Sequence, residues 1–264
     1  MSKIGNGKLN GKVVIVTGGT QGLGEGIALH LAEVGTSGLV ICGRGQERGQ
    51  LVVDALNEAG CPSSYVVADL SMEEDCRKVV QVCDERFGRV NGLVNAAGIT
   101  TRGALEDTTV ALWDKMLDVN TRAPFILMQE AVKIMKRENI HGSIVNILSE
   151  ASHCGSPPFM AYAASKGALA ILTKNVAHGL RFDRIRVNGI AMGLTDTVGE
   201  HATRKALGEP DNWMELIEAN QPFQRLLRPA DIAKLTSYLL SDDPEMMTGS
   251  LIDFNQYVTH ALAN

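Results

Sequence analysis

The sequence predicts an α/β protein: a single doubly wound domain built on a mostly parallel, seven-stranded sheet with helices on both faces. Three observations carry that prediction. Short apolar runs recur along the whole of the 264 residues, and most are too continuously Val/Ile-rich to have a solvent face. The stretches between them, such as 26–35 and 74–88, have helical periodicity, and strand–helix–strand at this pace implies right-handed βαβ units. The first strand also runs straight into a glycine-rich turn, TGGTQGLGEG at 17–26.

In chain order the strands are expected at VVIVT (13–17), GLVIC (38–42), SYVVAD (64–69), GLVNA (92–96), SIVNIL (143–148), IRVNGI (185–190) and SLIDF (250–254). Residues 193–228 carry few strand signals and are longer than a simple connection requires, so extra helices or a mobile substrate lid are expected there. After them, Arg228-Pro229-Ala230-Asp231 reads as a helix start, with Pro in the first turn and an acid at the positive end of the dipole. No linker, charge block or repeat divides the chain. It is therefore read as one domain, 1–264, with a lid at about 193–228.

Composition narrows the function. Hydrophobic residues are 45% and charged residues 21%, and 25 Lys plus Arg against 30 Asp plus Glu leave a net charge of −5. That mild acidity offers no basic footprint for nucleic acid or an anionic membrane. No apolar run reaches transmembrane length, and the opening MSKIGNGKLNGK lacks the apolar core of a signal peptide. Cys42, Cys61, Cys76, Cys83 and Cys154 are odd in number and lack CxxC or His-paired spacing. Free thiols in a reducing cytoplasm are expected, with no metal site.

The glycine turn points to a ligand. Gly18, Gly22 and Gly24 follow a strand and open a helix, where a dinucleotide needs bare backbone and helix N-terminal amides for its pyrophosphate. The domain is thus of the Rossmann type. The second strand ends Cys42-Gly43-Arg44, without the carboxylate that usually meets the ribose of NAD. Arg44 offers a guanidinium to a 2′-phosphate instead, so NADP(H) is favoured over NAD(H). Asp69 is placed either to hold the adenine edge or to cap the helix that follows.

These residues resemble the short-chain dehydrogenase/reductase family along essentially the whole chain. TGGTQGLG is similar to its cofactor loop, which adds Thr20, Gln21 and Leu23 to the glycines. Asp69-Leu70 matches its adenine position and Asn95-Ala96-Ala97-Gly98 its fourth-strand motif. Asn120, Ser149, Tyr162 and Lys166 match its catalytic tetrad in order and approximate spacing. The resemblance implies an NAD(P)-dependent oxidoreductase that interconverts a secondary alcohol and a ketone or aldehyde, with a small-molecule substrate and a homotetramer or homodimer as the assembly.

The side chains supply the chemistry. Tyr162 and Lys166, four apart on a helix, share one face. A phenol has a pKa near 10, and an ammonium beside it is expected to lower that value, making Tyr162 the acid/base. By resemblance Lys166 also binds the nicotinamide ribose, and Asn120 holds a relay water. Ser149 is expected to donate to the substrate oxygen. The family's Pro-Gly-x-x-x-Thr reads Met192-Gly193-Leu194-Thr195-Asp196-Thr197 here. Gly193 and Thr197 still match, and Ile190 is assigned to the nicotinamide amide through its backbone. The tail DFNQYVTHALAN departs from the family's Asp-Gly-Gly ending, and is read as reaching a subunit interface.

The substrate is read from Glu150-Ala151-Ser152-His153-Cys154, from 98–104 and from 193–228. Glu150 and His153 are candidates for the hydroxyls of a sugar or polyol, and His201, Arg204 and Trp213 are further candidates in the lid. A 3-oxoacyl-thioester reductase is the alternative enzyme. A non-catalytic nucleotide sensor on the same fold is the alternative of another class, and it predicts a damaged tetrad, whereas all four positions are intact.

Overall fold

The computed structural model describes residues 8–257. Its seven strands are β1 (Val13–Thr17), β2 (Gly38–Gly43), β3 (Ser63–Val67), β4 (Gly92–Asn95), β5 (Ser143–Ser149), β6 (Arg186–Met192) and β7 (Leu251–Phe254). They form one sheet in the order β3-β2-β1-β4-β5-β6-β7, and every neighbouring pair is parallel.

Side-chain alternation explains why the strands read as unbroken apolar runs. Val14, Val16, Leu39 and Ile41 face a layer made of α1 (Gly22–Glu33), α2 (Gln46–Glu58) and α9 (Pro229–Leu240). Val13, Ile15, Val40 and Ile144 face α3 (Glu73–Phe87), α5 (Ala123–Arg137) and α6 (Met160–Gly179) on the other side. With helices on both faces, neither set of side chains is left to water. Each fully buried Leu or Ile contributes roughly 1.5–3 kcal/mol to that packing.

The strand order reverses at β1, which pairs with β2 on one side and β4 on the other. Loops leaving the carboxyl ends of these strands diverge there and open a crevice. A helix of three parts walls it: α4 (Val110–Leu117), a π-turn at Asp118–Arg122, then α5. The π-turn has a cause in the sequence. Pro124 has no N–H to offer the carbonyl of Asn120, its partner in α-helical register.

The 193–228 segment contains the extra helices expected of it, α7 (Val198–Ala206) and α8 (Trp213–Glu218). Its base is closed by the Leu227 amide donating to Leu194 O at 3.2 Å and the Asp196 amide donating to Leu227 O at 2.8 Å. The following helix starts at Pro229 as expected, with Asp231 Oδ2 accepting from the Arg228 amide at 2.9 Å. The third strand ends at Val67, earlier than expected, because Asp69 turns the chain by accepting from the amide and hydroxyl of Ser71. Most of the tail assigned to an interface, 258–264, lies outside the described residues.

Candidate active site

A cleft of about 1050 Å³ runs along the carboxyl ends of the strands. Its floor at β1 is bare backbone. A Cβ on Gly24 would lie 2.2 Å from Gly18 O, so the helix meets the turn only because this residue is glycine. Gln21 precedes α1 and makes no side-chain cap, which leaves the first-turn amides to an anion in the cleft. Gly18, Thr20, Gln21, Gly22, Leu23 and Gly24 all line it.

At the end of β2, a Cβ on Gly43 would stand 2.7 Å from the Thr20 hydroxyl, so no carboxylate fits at that position without displacing Thr20. The Tyr65 hydroxyl fixes this turn, within 2.8 Å of Gly43 O and 2.9 Å of Gly45 O. Arg44 lines the cleft beyond the turn. So do two cations the sequence reading passed over, Arg48 and Lys115. Arg48 donates from Nη1 to Gln21 Oε1, tying α2 to the glycine loop. Its signal was present, since it stands four residues after Arg44 in the first turn of α2. Asp69 and Leu70 also line this end. The Asp69 carboxyl is held below its ordinary range, first by Ser71 and less by Arg44 and Lys115.

The turn after β4 depends on a residue the sequence reading did not single out. Thr17 Oγ1 donates to Val94 O at 3.3 Å and accepts from the amides of Ala96 and Ala97, both at 3.0 Å. Ala96 and Gly98 reach the cleft, but Asn95 does not. Its amide is buried behind the sheet end and donates to Asn146 at 2.8 Å, which in turn donates to Thr173 at 2.9 Å. Asn120 is likewise behind the wall. Its Oδ1 accepts from the Ile99 amide at 2.9 Å, while its Nδ2 donates to Ile99 O and to Ser165 Oγ, both at 3.0 Å. The Asn120 side chain is thus occupied in holding the Gly98–Ile99 turn; only its backbone carbonyl, without an α-helical donor, is left for a water.

Ser149, Tyr162 and Lys166 converge in the cleft. Ser149 is the last residue of β5, and its hydroxyl is hydrogen-bonded with that of Tyr162. Lys166 Nζ donates to Ile147 O at 2.7 Å and lies 5.9 Å from the centroid of the Tyr162 ring. One expectation is overturned here. The Tyr162 phenol sits above its ordinary pKa, not below it, because burial opposes the phenolate. The Ser149 hydrogen bond lowers it only in part, and the Glu200 and Glu150 carboxylates push it further up. Burial acts on Lys166 as well and pulls its ammonium down to about 8.

The end of the cleft beyond Ser149 is mixed. Glu150 lines the cleft, its carboxyl raised by burial. His153 does not line it: its Nε2 lies 2.9 Å from Asp253 on β7, so the ring ties the Ser149 loop to the sheet edge. Gly193 and Thr197 line the cleft, and Thr197 Oγ1 accepts from the Glu200 amide at 3.2 Å as the cap of α7. Ile190 lies in the interior of β6, paired with Ile147 on one side and Ile252 on the other. Its backbone is enclosed in the sheet, and Leu194 and Thr195 stand at the cleft instead. In the 193–228 segment, Arg204 reaches the cleft. His201 pairs with Asp196 at 2.8 Å and packs edge-on against the buried Trp213.

The bare glycine turn, the uncapped helix and the cations beyond β2 fit a dinucleotide. Comparison with known proteins agrees. The short chain dehydrogenase family model matches residues 12–208. An uncharacterized oxidoreductase of Thermotoga maritima is 34% identical, the match covering 93% of this chain and 96% of that one. An NADP-dependent (R)-specific alcohol dehydrogenase of Lentilactobacillus kefiri is 33% identical over 92% and 94% of the two chains. The crystal structure of a short-chain type dehydrogenase/reductase from Mycobacterium marinum superposes with a TM-score of 0.85 at 27% identity, over 94% of this chain and 95% of that one. The chain belongs to the short-chain dehydrogenase/reductase family, whose members are oxidoreductases with a nicotinamide cofactor.

Proposed function

We propose that the protein interconverts a secondary alcohol and the matching ketone or aldehyde on a small polar molecule such as a sugar or polyol, with NADP(H) preferred to NAD(H). The observation that carries this reading is the meeting of Ser149, Tyr162 and Lys166 in the cleft. The bound cofactor supplies or accepts the hydride. Gly18, Thr20, Gln21, Gly22, Leu23 and Gly24 are assigned to its pyrophosphate side, and Asp69, Leu70, Ala96, Gly98, Gly193 and Thr197 to the rest of it.

In the reductive direction the Tyr162 hydroxyl gives its proton to the substrate carbonyl oxygen, and Ser149 donates a hydrogen bond to the same oxygen as charge develops on it. A phenol kept protonated by burial suits that direction. Lys166 brings positive charge near the phenolate that results, and a water on the Asn120 carbonyl would return the proton. Glu150 is assigned to substrate hydroxyls, and residues 193–228 are assigned as the lid.

Three supports bear on the finer parts. Arg44 and Arg48 at the ribose end favour a 2′-phosphate, in keeping with the NADP dependence named for the Lentilactobacillus relative. Exposed Phe125 and Ile171 flank a groove between α5 and α6, which favours a second copy there and a homotetramer or homodimer. The described cysteines are all free, which favours a reducing cytoplasm.

The test is Tyr162→Phe, with turnover followed by the absorbance of reduced nicotinamide over sugars, polyols, oxo acids and acyl thioesters. The expected loss in kcat is about 10³-fold, with NADPH affinity held within a few-fold. Near-normal turnover by the variant would remove Tyr162 from the acid/base role.

A further inference from the structure

Arg102, in the loop after β4, differs from the other arginine at the substrate end. Both face the same two carboxylates. Arg204 is hydrogen-bonded to both, donating from Nε to Glu200 and from Nη1 to Glu209, each at 2.7 Å, with its guanidinium 4.7 Å from the Trp213 ring centroid. Arg102 stands off from the same pair at 3.6 Å and 4.0 Å, beyond hydrogen-bonding distance. Its Nε is buried and has no hydrogen-bond partner among the described residues. A guanidinium carries five N–H donors in a planar fork, and leaving even one of them unmade away from water is costly.

The place of this group in the cleft limits what it meets. Arg102 lines the cleft with only 23% of its side chain exposed, and its guanidinium lies 5.0 Å from the ring centroid of Phe159. Phe159 in turn lies 5.9 Å, ring to ring, from Tyr162. The fork is therefore one aromatic ring away from the phenol that faces the reacting oxygen. Glu200 and Glu209 hold it there by charge without occupying its donors.

We infer that Arg102 binds a carboxylate of the substrate, so that the molecule reduced is a short oxo acid and the molecule oxidised the matching hydroxy acid. The inference rests on the oxidoreductase reading above and names the substrate class for that same site. A carboxylate is planar, carries one charge and accepts two parallel N–H bonds from the fork. A phosphate brings more negative charge to a site already bordered by Glu150, Glu200 and Glu209, which disfavours it. With the carboxylate on Arg102, the carbonyl group a few atoms away lies toward Ser149 and Tyr162. Reduction then takes a hydride from the reduced nicotinamide onto the carbonyl carbon and a proton from Tyr162 onto its oxygen.

The test uses pyruvate, acetoacetate and levulinate, each beside its methyl ester, with NADPH and with NADH. For the acid that is turned over, kcat/KM is expected to exceed that of its ester by about tenfold or more. Arg102→Met is expected to cost the acid at least about tenfold more than it costs the ester, chiefly in KM, and Arg102→Lys to recover part of that difference. An ester used as well as its acid, or equal losses on both in Arg102→Met, overturns the inference and leaves the oxidoreductase reading standing. The equal-loss result assigns Arg102 to holding the lid. Inactivity on every acid and every ester with both cofactors, in enzyme that turns over a sugar or polyol, likewise overturns the inference. Inactivity over the whole screen of sugars, polyols, oxo acids and acyl thioesters overturns the oxidoreductase reading itself.

Discussion

The two ends of the cleft are built from different materials. At the end proposed for the cofactor the chain lines the cleft with backbone: Gly18 to Gly24 on the turn after β1, the Gly43 turn after β2, and Ala96 to Gly98 held by Thr17. At the end proposed for the substrate it brings long charged side chains from separate elements, with Arg102, Glu200 and Arg204 all lining the cleft. A site made of backbone is defined by which residue is absent of bulk, and it tolerates almost no substitution. A site made of side chains is defined by reach, and it changes with every loop.

The sharpest way to break this contrast is at Gly24. An added methyl would meet the Gly18 carbonyl at 2.2 Å, and a backbone atom has no rotamer with which to escape. Overpacking of this kind typically costs about 1–3 kcal/mol. Gly24→Ala is expected to lower the urea midpoint accordingly and to weaken NADPH binding by about 100-fold or more, read by titrating nicotinamide fluorescence. A variant that binds NADPH as tightly as the wild type would mean that the turn is not the pyrophosphate seat.

The same contrast decides what was legible beforehand. The fold was readable because both faces of every inner strand are covered, so burial writes itself into Val/Ile runs such as 13–17 and 143–148. Ser149, Tyr162 and Lys166 were readable because strand end and helix turn fix their spacing. Ile190 was misplaced by a few residues: an apolar strand does not announce in its letters where the sheet ends, and the cleft begins only at Met192. Asn95 was read as facing the ligand and Asn120 as holding a relay water; the side-chain amides of both hold the scaffold behind the cleft. The partnership of Arg102 with Glu200 and Glu209 left no local mark at all, because its members lie about a hundred residues apart in the chain and meet only through the fold. Nor does the Tyr162–Lys166 spacing reveal burial, which lifts the phenol.

Arg44 and Arg48 lie at the boundary between the two kinds of construction, since they are side chains projecting over a backbone floor. A charge-assisted hydrogen bond contributes roughly 1.5–3 kcal/mol, so Arg44→Ala is expected to raise KM for NADPH about tenfold to a hundredfold, with little change for NADH. Arg48→Ala should act in the same direction but less, because its guanidinium is shared with Gln21. If the two contact one phosphate, their combined loss will fall short of the product of the single losses. An NADPH-to-NADH ratio unmoved by Arg44→Ala would sink the case for the 2′-phosphate.

The smallest effect is expected where the 193–228 segment returns to the core. Asp231 accepts from the Arg228 amide at 2.9 Å and pairs with Arg225 at 2.6 Å, so one carboxylate both starts α9 and anchors the end of the 193–228 segment. Its carboxyl is held below the ordinary 3.8, first by Arg225, against a partial rise from burial. A lowered folded value means the unfolded chain takes up a proton first, so the stabilisation is complete above about that ordinary value and is lost as pH falls through the lower folded one. Asp231→Ala is therefore expected to cost about 1 kcal/mol at pH 7 and progressively less at more acid pH, measured as the difference in urea midpoints. The cofactor-end residues Gly18 to Gly24 have no titrating side chain but Glu25 as a neighbour in sequence, so a Gly24→Ala deficit should stay constant over the same range. If both deficits shrink together in acid, the charge on Asp231 is not what holds the base of the 193–228 segment.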